Sequence, residues 1–260
     1  MNTEEENLLE LRREQRPKQQ NEVASEKDRV TQRDEILKGL LSKVEGKNDW
    51  IEVTVPSGPV IKVRPITYKD ESGMRAQITG ANAGTAVTRM LEGCVECDWN
   101  QLYMFDKNFL IFKLREISYG DDYTIEGTCE CTAKTELNLK LSDLPVKPYD
   151  GNGEITVPLP DSEIEAVVRV PSVQDQKLFD DITKLPHVLW RFVKSLGGET
   201  DTDIIQAFLG KTTLKDVLTI QQSVFELDYG LTSTVWYKCS ECNRNNELPI
   251  PLNESFFSVS

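Results

Sequence analysis

The sequence predicts an α+β body made of two similar halves behind a charged N-terminal arm. Three observations carry this prediction. Short alternating apolar runs, bounded by Pro and Gly, stand beside stretches whose apolar residues have helical spacing. The first 48 residues hold 11 acidic and 10 basic residues but no cysteine and no aromatic. The order of hairpin, helices and cysteine pair then occurs twice, at a shift of about 110 residues.

Residues 1–48 form the arm. A segment so charged buries little surface alone, and is expected to be flexible or helical only when docked. Val23, Val30, Leu37 and Val44 recur every seven residues, with Ile36, Leu40 and Leu41 beside them. That spacing fits either a partner-binding coiled-coil helix or a solvated arm with one amphipathic helix over Gln32–Val44. The second reading needs fewer apolar positions and is preferred.

Residues 49–148 form the first half. Ile51, Val53 and Val55 alternate, Pro56-Ser57-Gly58-Pro59 turns the chain, and Ile61 and Val63 alternate again before Pro65, which reads as a β-hairpin. Helical stretches follow from Tyr68 and over Thr85–Glu96. Asp106 is expected to N-cap a helix over Lys107–Ser118, ended by Gly120. Tyr123 and Ile125 open a strand, Cys129 and Cys131 follow, and Leu137, Leu139 and Leu141 alternate on the way out.

Residues 149–260 return to the same order. Ile155, Val157 and Leu159 alternate, Pro160-Asp161-Ser162 turns, and a strand over Ile164–Val170 stops at Pro171. Helices are expected over Asp175–Lys184, over Val188–Leu196 and from Asp216 to Gly230. A strand through Val235 and Tyr237 leads to Cys239 and Cys242, and Leu248, Ile250 and Leu252 alternate afterwards. In the overlay Asp106 falls on Asp216, Leu110 on Ile220, Tyr119-Gly120 on Tyr229-Gly230 and Cys129 on Cys239. We read this as an internal duplication.

Composition narrows the function classes. With 30 basic and 43 acidic residues the net charge is −13, so phosphate repels the chain and broad binding to nucleic acid or an anionic membrane is not expected. No run is long enough for a membrane span, and the acidic start has no apolar region behind it to suggest a signal peptide. One histidine, His187, leaves no room for a histidine-dependent catalytic dyad, a Ser-His-Asp triad or a His-rich metal centre. It reads as an ordinary partly buried imidazole. Gly80-Ala81-Asn82-Ala83-Gly84 neither follows a strand nor carries the lysine of a phosphate loop. The acidic pair Asp121-Asp122 reads as a solvated face. No residue set suggests catalysis.

The six cysteines form three close pairs and are expected to be reduced thiols. A tight turn between strands can present two thiolates to one zinc ion, which takes four such ligands in a tetrahedron. Neither Cys129/Cys131 nor Cys239/Cys242 supplies four ligands. If the halves pack about a pseudo-twofold axis, the two knuckles complete one structural zinc site together. Buried thiols and Cys-X-X-Cys redox chemistry are the alternatives. Cys94 and Cys97, at the end of a helical stretch and with no counterpart in the second half, read as core packing.

A resemblance enters on particular residues. The run Asp106-Lys107-Asn108-Phe109-Leu110-Ile111-Phe112-Lys113-Leu114-Arg115-Glu116-Ile117-Ser118-Tyr119-Gly120 is followed by the two distant knuckles, by Leu248-Pro249-Ile250-Pro251-Leu252 and by Phe256-Phe257. With the hairpin ending Ile61-Lys62-Val63-Arg64-Pro65, these resemble the baseplate proteins of T-even-type tailed bacteriophages, a family that includes baseplate hub and hub-assembly proteins. The resemblance covers most of residues 50–258. It implies a non-enzymatic protein of a contractile tail that binds other baseplate proteins, in the virion or in the host cytoplasm during assembly. On it, Cys129, Cys131, Cys239 and Cys242 are the zinc knuckles, although the one-residue spacing at Cys129 departs from the usual two.

Two other classes stay open. A zinc-ribbon nucleic-acid binder would cluster basic residues near the knuckles. Cys129 instead lies near Asp121, Asp122, Glu126 and Glu130, and Cys239 has Lys238 and Arg244 against Glu241 and Glu247. A thiol oxidoreductase would use Cys239 and Cys242.

Overall fold

A computed structural model describes residues 29–47, 49–77, 83–179, 185–225, 227, 229–252 and 254–257. The chain divides into a unit ending at Asp49 and a second beginning at Trp50. In the first, residues 29–41 form helix α1, followed by turns to residue 47. Its described part ends three residues before the expected Val44, because after Ser42 the backbone bonds tighten to the i−3 carbonyls of Leu40 and Leu41. Val23 and the rest of the arm before residue 29 lie outside the described residues.

The second unit opens with the expected hairpin. Strands β1 (Ile51–Thr54) and β2 (Val60–Val63) pair antiparallel from Ile51↔Val63 to Thr54↔Val60. Val53, Val55, Ile61 and Val63 are buried, which is the period-2 pattern of a sheet with one wet face. Helices α2 (Tyr68–Gln77) and α3 (Ala83–Cys94) follow. The expected helix end at Glu96 is incorrect: Val95–Glu96 form strand β3, paired with β2 at Val63↔Val95 and Lys62↔Glu96. Val95 gains both a buried face and a strand partner there, which outweighs continuing the helix.

Helix α4 spans Met104–Tyr119. It starts three residues before the predicted Lys107, so Asp106 lies inside the first turn instead of capping it. Its carboxylate still reaches back, accepting from the Tyr103 N–H at 3.1 Å. Gly120 ends the helix at φ 97°, ψ 167°, a conformation essentially restricted to glycine. Strands β4 (Asp122–Thr128) and β5 (Lys134–Lys140) then form a long hairpin from Asp122↔Lys140 to Thr128↔Lys134.

After the short strand β6 (Val146–Lys147), β7 (Glu154–Pro158) and β8 (Glu165–Arg169) form a second hairpin. Single-turn helices α5 (Gln176–Phe179) and α6 (Leu185–Val188) follow; the remainder of the helix expected over Asp175–Lys184 lies outside the described residues. The helix expected over Val188–Leu196 is replaced by a 3-10 turn and by strand β9 (Val193–Leu196), which pairs with β8. Here too an edge strand wins because Val193 and Leu196 reach the core on its inner face. Helix α7 (Thr202–Leu209), which periodicity did not indicate, is capped by Asp201, whose carboxylate accepts from the N–H groups of Asp203 and Ile204. Helix α8 spans Leu214–Phe225, short of the expected end at Gly230. Gly230 instead opens strand β10 (Gly230–Leu231), which pairs with β6. Strands β11 (Thr234–Lys238) and β12 (Asn245–Pro249) form the last hairpin.

Two matched sets of contacts stand out. The buried Asp106 carboxylate accepts from the Ser57 N–H (2.9 Å) and hydroxyl (2.7 Å), closing the first hairpin turn. The buried Asp216 carboxylate accepts from the N–H groups of Asp161 (2.9 Å) and Ser162 (3.1 Å), closing the other. Burial holds Asp106 above the usual carboxylate range; at Asp216 burial acts the same way, but the hydrogen bonds outweigh it. Arg64 pairs with Asp70 at 2.8 Å, and Arg169 with Asp175 at 2.6 Å, each across six residues and each with two contacts. Both aspartates also accept from the residue three before them, Thr67 or Ser172.

Apolar packing gathers into two large clusters and a small, mostly aromatic one. The first includes Leu91, Leu110, Phe112 and Leu114 together with Phe256 and Phe257 from far along the chain. Phe256 meets Phe112 edge-on at 4.9 Å and Tyr123 at 5.4 Å. The second holds Val168, Phe192, Ile205, Ile220 and Val224. Between them Phe105, Tyr149 and Val170 are buried, and Tyr149 meets Tyr229 edge-on at 4.8 Å.

Candidate metal centre

The turns of the β4–β5 and β11–β12 hairpins carry the two knuckles. In the first, the Cys129 N–H donates to the Ala133 carbonyl at 2.9 Å, and Thr132 takes a left-handed φ of 69°. In the second, the Cys239 N–H donates to the Arg244 carbonyl at 2.9 Å, and Asn243 takes a φ of 59°. Each turn therefore reverses immediately after its second cysteine, which swings both sulfurs of a pair to the same side.

The hairpins lie against each other. Gly127 of β4 faces the ring of Tyr237 on β11, and a methyl group there would come within 2.7 Å of the ring carbon bearing the hydroxyl. Only glycine permits this approach without displacing the ring. At the tips, Arg244 forms an ion pair with Glu130 across the seam.

The consequence is a cluster of four sulfurs. Cys129 Sγ lies 3.6 Å from Cys242 Sγ, and Cys131 Sγ lies 3.6 Å from Cys239 Sγ. All four ligand atoms fall within 4.8 Å of one another. The pairing is crossed, first cysteine of one knuckle to second of the other. Zinc–sulfur bonds of about 2.3 Å in a tetrahedron place neighbouring sulfurs about 3.8 Å apart, so the thiols are near the spacing that ion needs.

The electrostatics of the pairs also match. Cys129 is lowered to about 6, first because the Cys131 N–H is aimed at its sulfur; Cys239 is lowered by the N–H groups of Cys242 and Glu241. Cys131 and Cys242 move the other way. The Ala133 and Arg244 N–H groups oppose the shift, but hydrogen bonding with the Cys129 and Cys239 sulfurs raises both, Cys242 to about 12. Cys129 and Cys239 are buried, Cys131 and Cys242 exposed, so the cluster sits with one side at the surface. Four thiols without a histidine or carboxylate are the donor set of a closed structural site that leaves no open position for substrate.

Cys94 is fully buried among Leu91, Val63 and Met90, and Cys97 packs against that cluster. Burial pushes their thiols up to about 12 and about 11, which makes them poor ligands and poor nucleophiles. His187 is exposed, not partly buried as expected. Asp121 accepts from the N–H and hydroxyl of Ser142, each at 2.7 Å, so it fastens the end of a hairpin. Gly80-Ala81-Asn82 lies outside the described residues. The Arg64–Asp70 and Arg169–Asp175 pairs were missed by sequence reasoning. The spacing of Thr67 to Asp70 and of Ser172 to Asp175, a capping-box interval behind a strand-ending arginine, was the available signal.

A family model for the T4 bacteriophage base plate protein matches residues 49–258. The chain belongs to this family. No curated protein and no solved structure matches it significantly. The match starts where the second unit starts, one residue before Trp50, so the base plate family portion is the body that carries both knuckles, and the arm lies outside it. Among the described residues no helix is long and apolar enough to cross a membrane.

Proposed function

We propose that the chain is a non-enzymatic structural or assembly protein of the central hub of a contractile-tail baseplate. It works by contact with other baseplate proteins, is put together in the host cytoplasm and acts at the tail. Membership of the base plate family over residues 49–258 carries this reading. The acidic charge of −13 disfavours a nucleic-acid partner, and the clustered thiols sit on hairpin turns, not at the helix N-terminus typical of a redox dithiol.

The body, in this reading, is a duplication of about 105 to 110 residues. The paired Asp106/Asp216 and Arg64/Arg169 contacts support it, as does the twofold crossing of the sulfurs. Cys129, Cys131, Cys239 and Cys242 hold one zinc ion, which fastens the halves together. Zinc binding to such a set is folding free energy, of the order of 10 kcal/mol in small zinc domains. Native mass spectrometry of the full chain is expected to show one zinc, lost on Cys129→Ser or on Cys239→Ser alike. Apo protein with four reactive thiols would overturn the zinc assignment while leaving the family reading intact.

The functional test is genetic. Phage lacking the gene, grown without complementation, are expected to leave incomplete baseplates visible by electron microscopy of the lysate. Complete baseplates in its absence would sink the hub reading.

A further inference from the structure

Helix α1 carries an exposed apolar stripe. Val30, Ile36, Leu37, Leu40 and Leu41 are each 51–57% exposed. Such a stripe on a short helix is unstable in water by itself, since isolated helices of this length are marginal. A partner must therefore be sought whose chemistry fits the residues that flank the stripe.

The heptad supplies it. With Val30 and Leu37 at a, Leu40 falls at d, Arg29 and Ile36 at g, and Asp34 and Leu41 at e. In a parallel pair of identical helices in register, each g residue faces the e residue five places on in the other strand. Arg29 then meets Asp34, opposite in charge, and Ile36 meets Leu41, carbon against carbon. Antiparallel pairing about Leu37 and Leu40 would set Asp34 beside Leu41, placing charge on carbon.

We propose that α1 is a self-association element, pairing in parallel and in register with α1 of a second copy of this chain. Arg33 at the remaining d position faces its own copy, so its stem must run outward to water. That makes the pairing weak and dependent on concentration.

Sedimentation velocity of the full chain, from micromolar to submillimolar concentration, tests this. A monomer–dimer equilibrium is expected, abolished by Leu37→Asp with Leu40→Asp while the thermal unfolding of the body stays unchanged. Arg29→Asp or Asp34→Arg alone should weaken dimerisation about tenfold, and the two together restore it, because exposed ion pairs of this kind contribute up to about 1 kcal/mol each. A chain monomeric throughout, or a dimer indifferent to Leu37 and Leu40, would overturn the proposal. Failure of the double charge exchange to restore what the single changes remove would overturn the parallel register.

Discussion

In the first knuckle the Cys129 N–H reaches a carbonyl four residues on; in the second, the Cys239 N–H reaches one five residues on, at the same 2.9 Å. The extra residue lies between the cysteines, so Cys129 and Cys131 are separated by one residue and Cys239 and Cys242 by two. The crossed sulfur distances are nevertheless equal, at 3.6 Å. The difference is absorbed by backbone turns, each closed by one left-handed residue, and the cluster keeps its shape. Cysteine spacing in the sequence is thus a weaker guide to this cluster than the position of the turn that follows it. The one-residue interval at Cys129 does not keep its sulfur out of the cluster, because Thr132 reverses the chain.

The comparison can be broken most severely at the sulfurs. If the halves contribute equally to one zinc, Cys129→Ser and Cys239→Ser should lower the thermal midpoint by similar, large amounts, and a chelator added to the parent should reproduce either. A large loss at one knuckle only would show that the two are not equivalent. The glycines that end α4 and precede β11 come next. Both Gly120 and Gly230 have positive φ, but a methyl group at Gly120 meets nothing within 4 Å, whereas at Gly230 it comes within 2.8 Å of Phe105 Cβ. Strain alone should make Gly120→Ala cost about 1–2 kcal/mol, and overpacking against a fixed atom should raise Gly230→Ala to about 3–5 kcal/mol. Denaturant unfolding measures both, and equal losses would mean that Phe105 yields easily.

The smallest effect sharpens the comparison. Thr132 is β-branched at φ 69°, where asparagine is far better tolerated, and Asn243 holds the matching place. Thr132→Asn is expected to stabilise the protein by about 0.5–1 kcal/mol and Asn243→Thr to destabilise it by about as much. Opposite signs in thermal unfolding would confirm that the two turns are interchangeable at this residue.

Much of this was legible in the sequence for local reasons. Alternation and turn residues gave four of the hairpin strand pairs, whereas the roles of Asp106 and Asp216 were not readable, since each carboxylate closes a hairpin turn about fifty residues away. The edge strands β3 and β9 were not legible, since Val95–Glu96 and Val193–Leu196 are strands only because a hairpin stands beside them. Nor was α7, whose eight residues show a single buried side chain, Ile205. At the cluster, the residue types and pairing were readable. That the hairpins cross first cysteine to second depends on Gly127 lying under Tyr237, a contact between residues 110 apart that periodicity cannot express.

Those separations also set an order of events during synthesis. Cys129 and Cys131 leave the ribosome about 110 residues before Cys239 and Cys242, and Phe112 and Tyr123 similarly precede Phe256, which covers them. Residues 49–148 therefore emerge with two sulfurs unmatched and a gap in their apolar core. Both are filled by segments within some twenty residues of each other, so a single stretch of synthesis completes the core and the cluster together. A chain truncated before Cys242 would fail at both places at once.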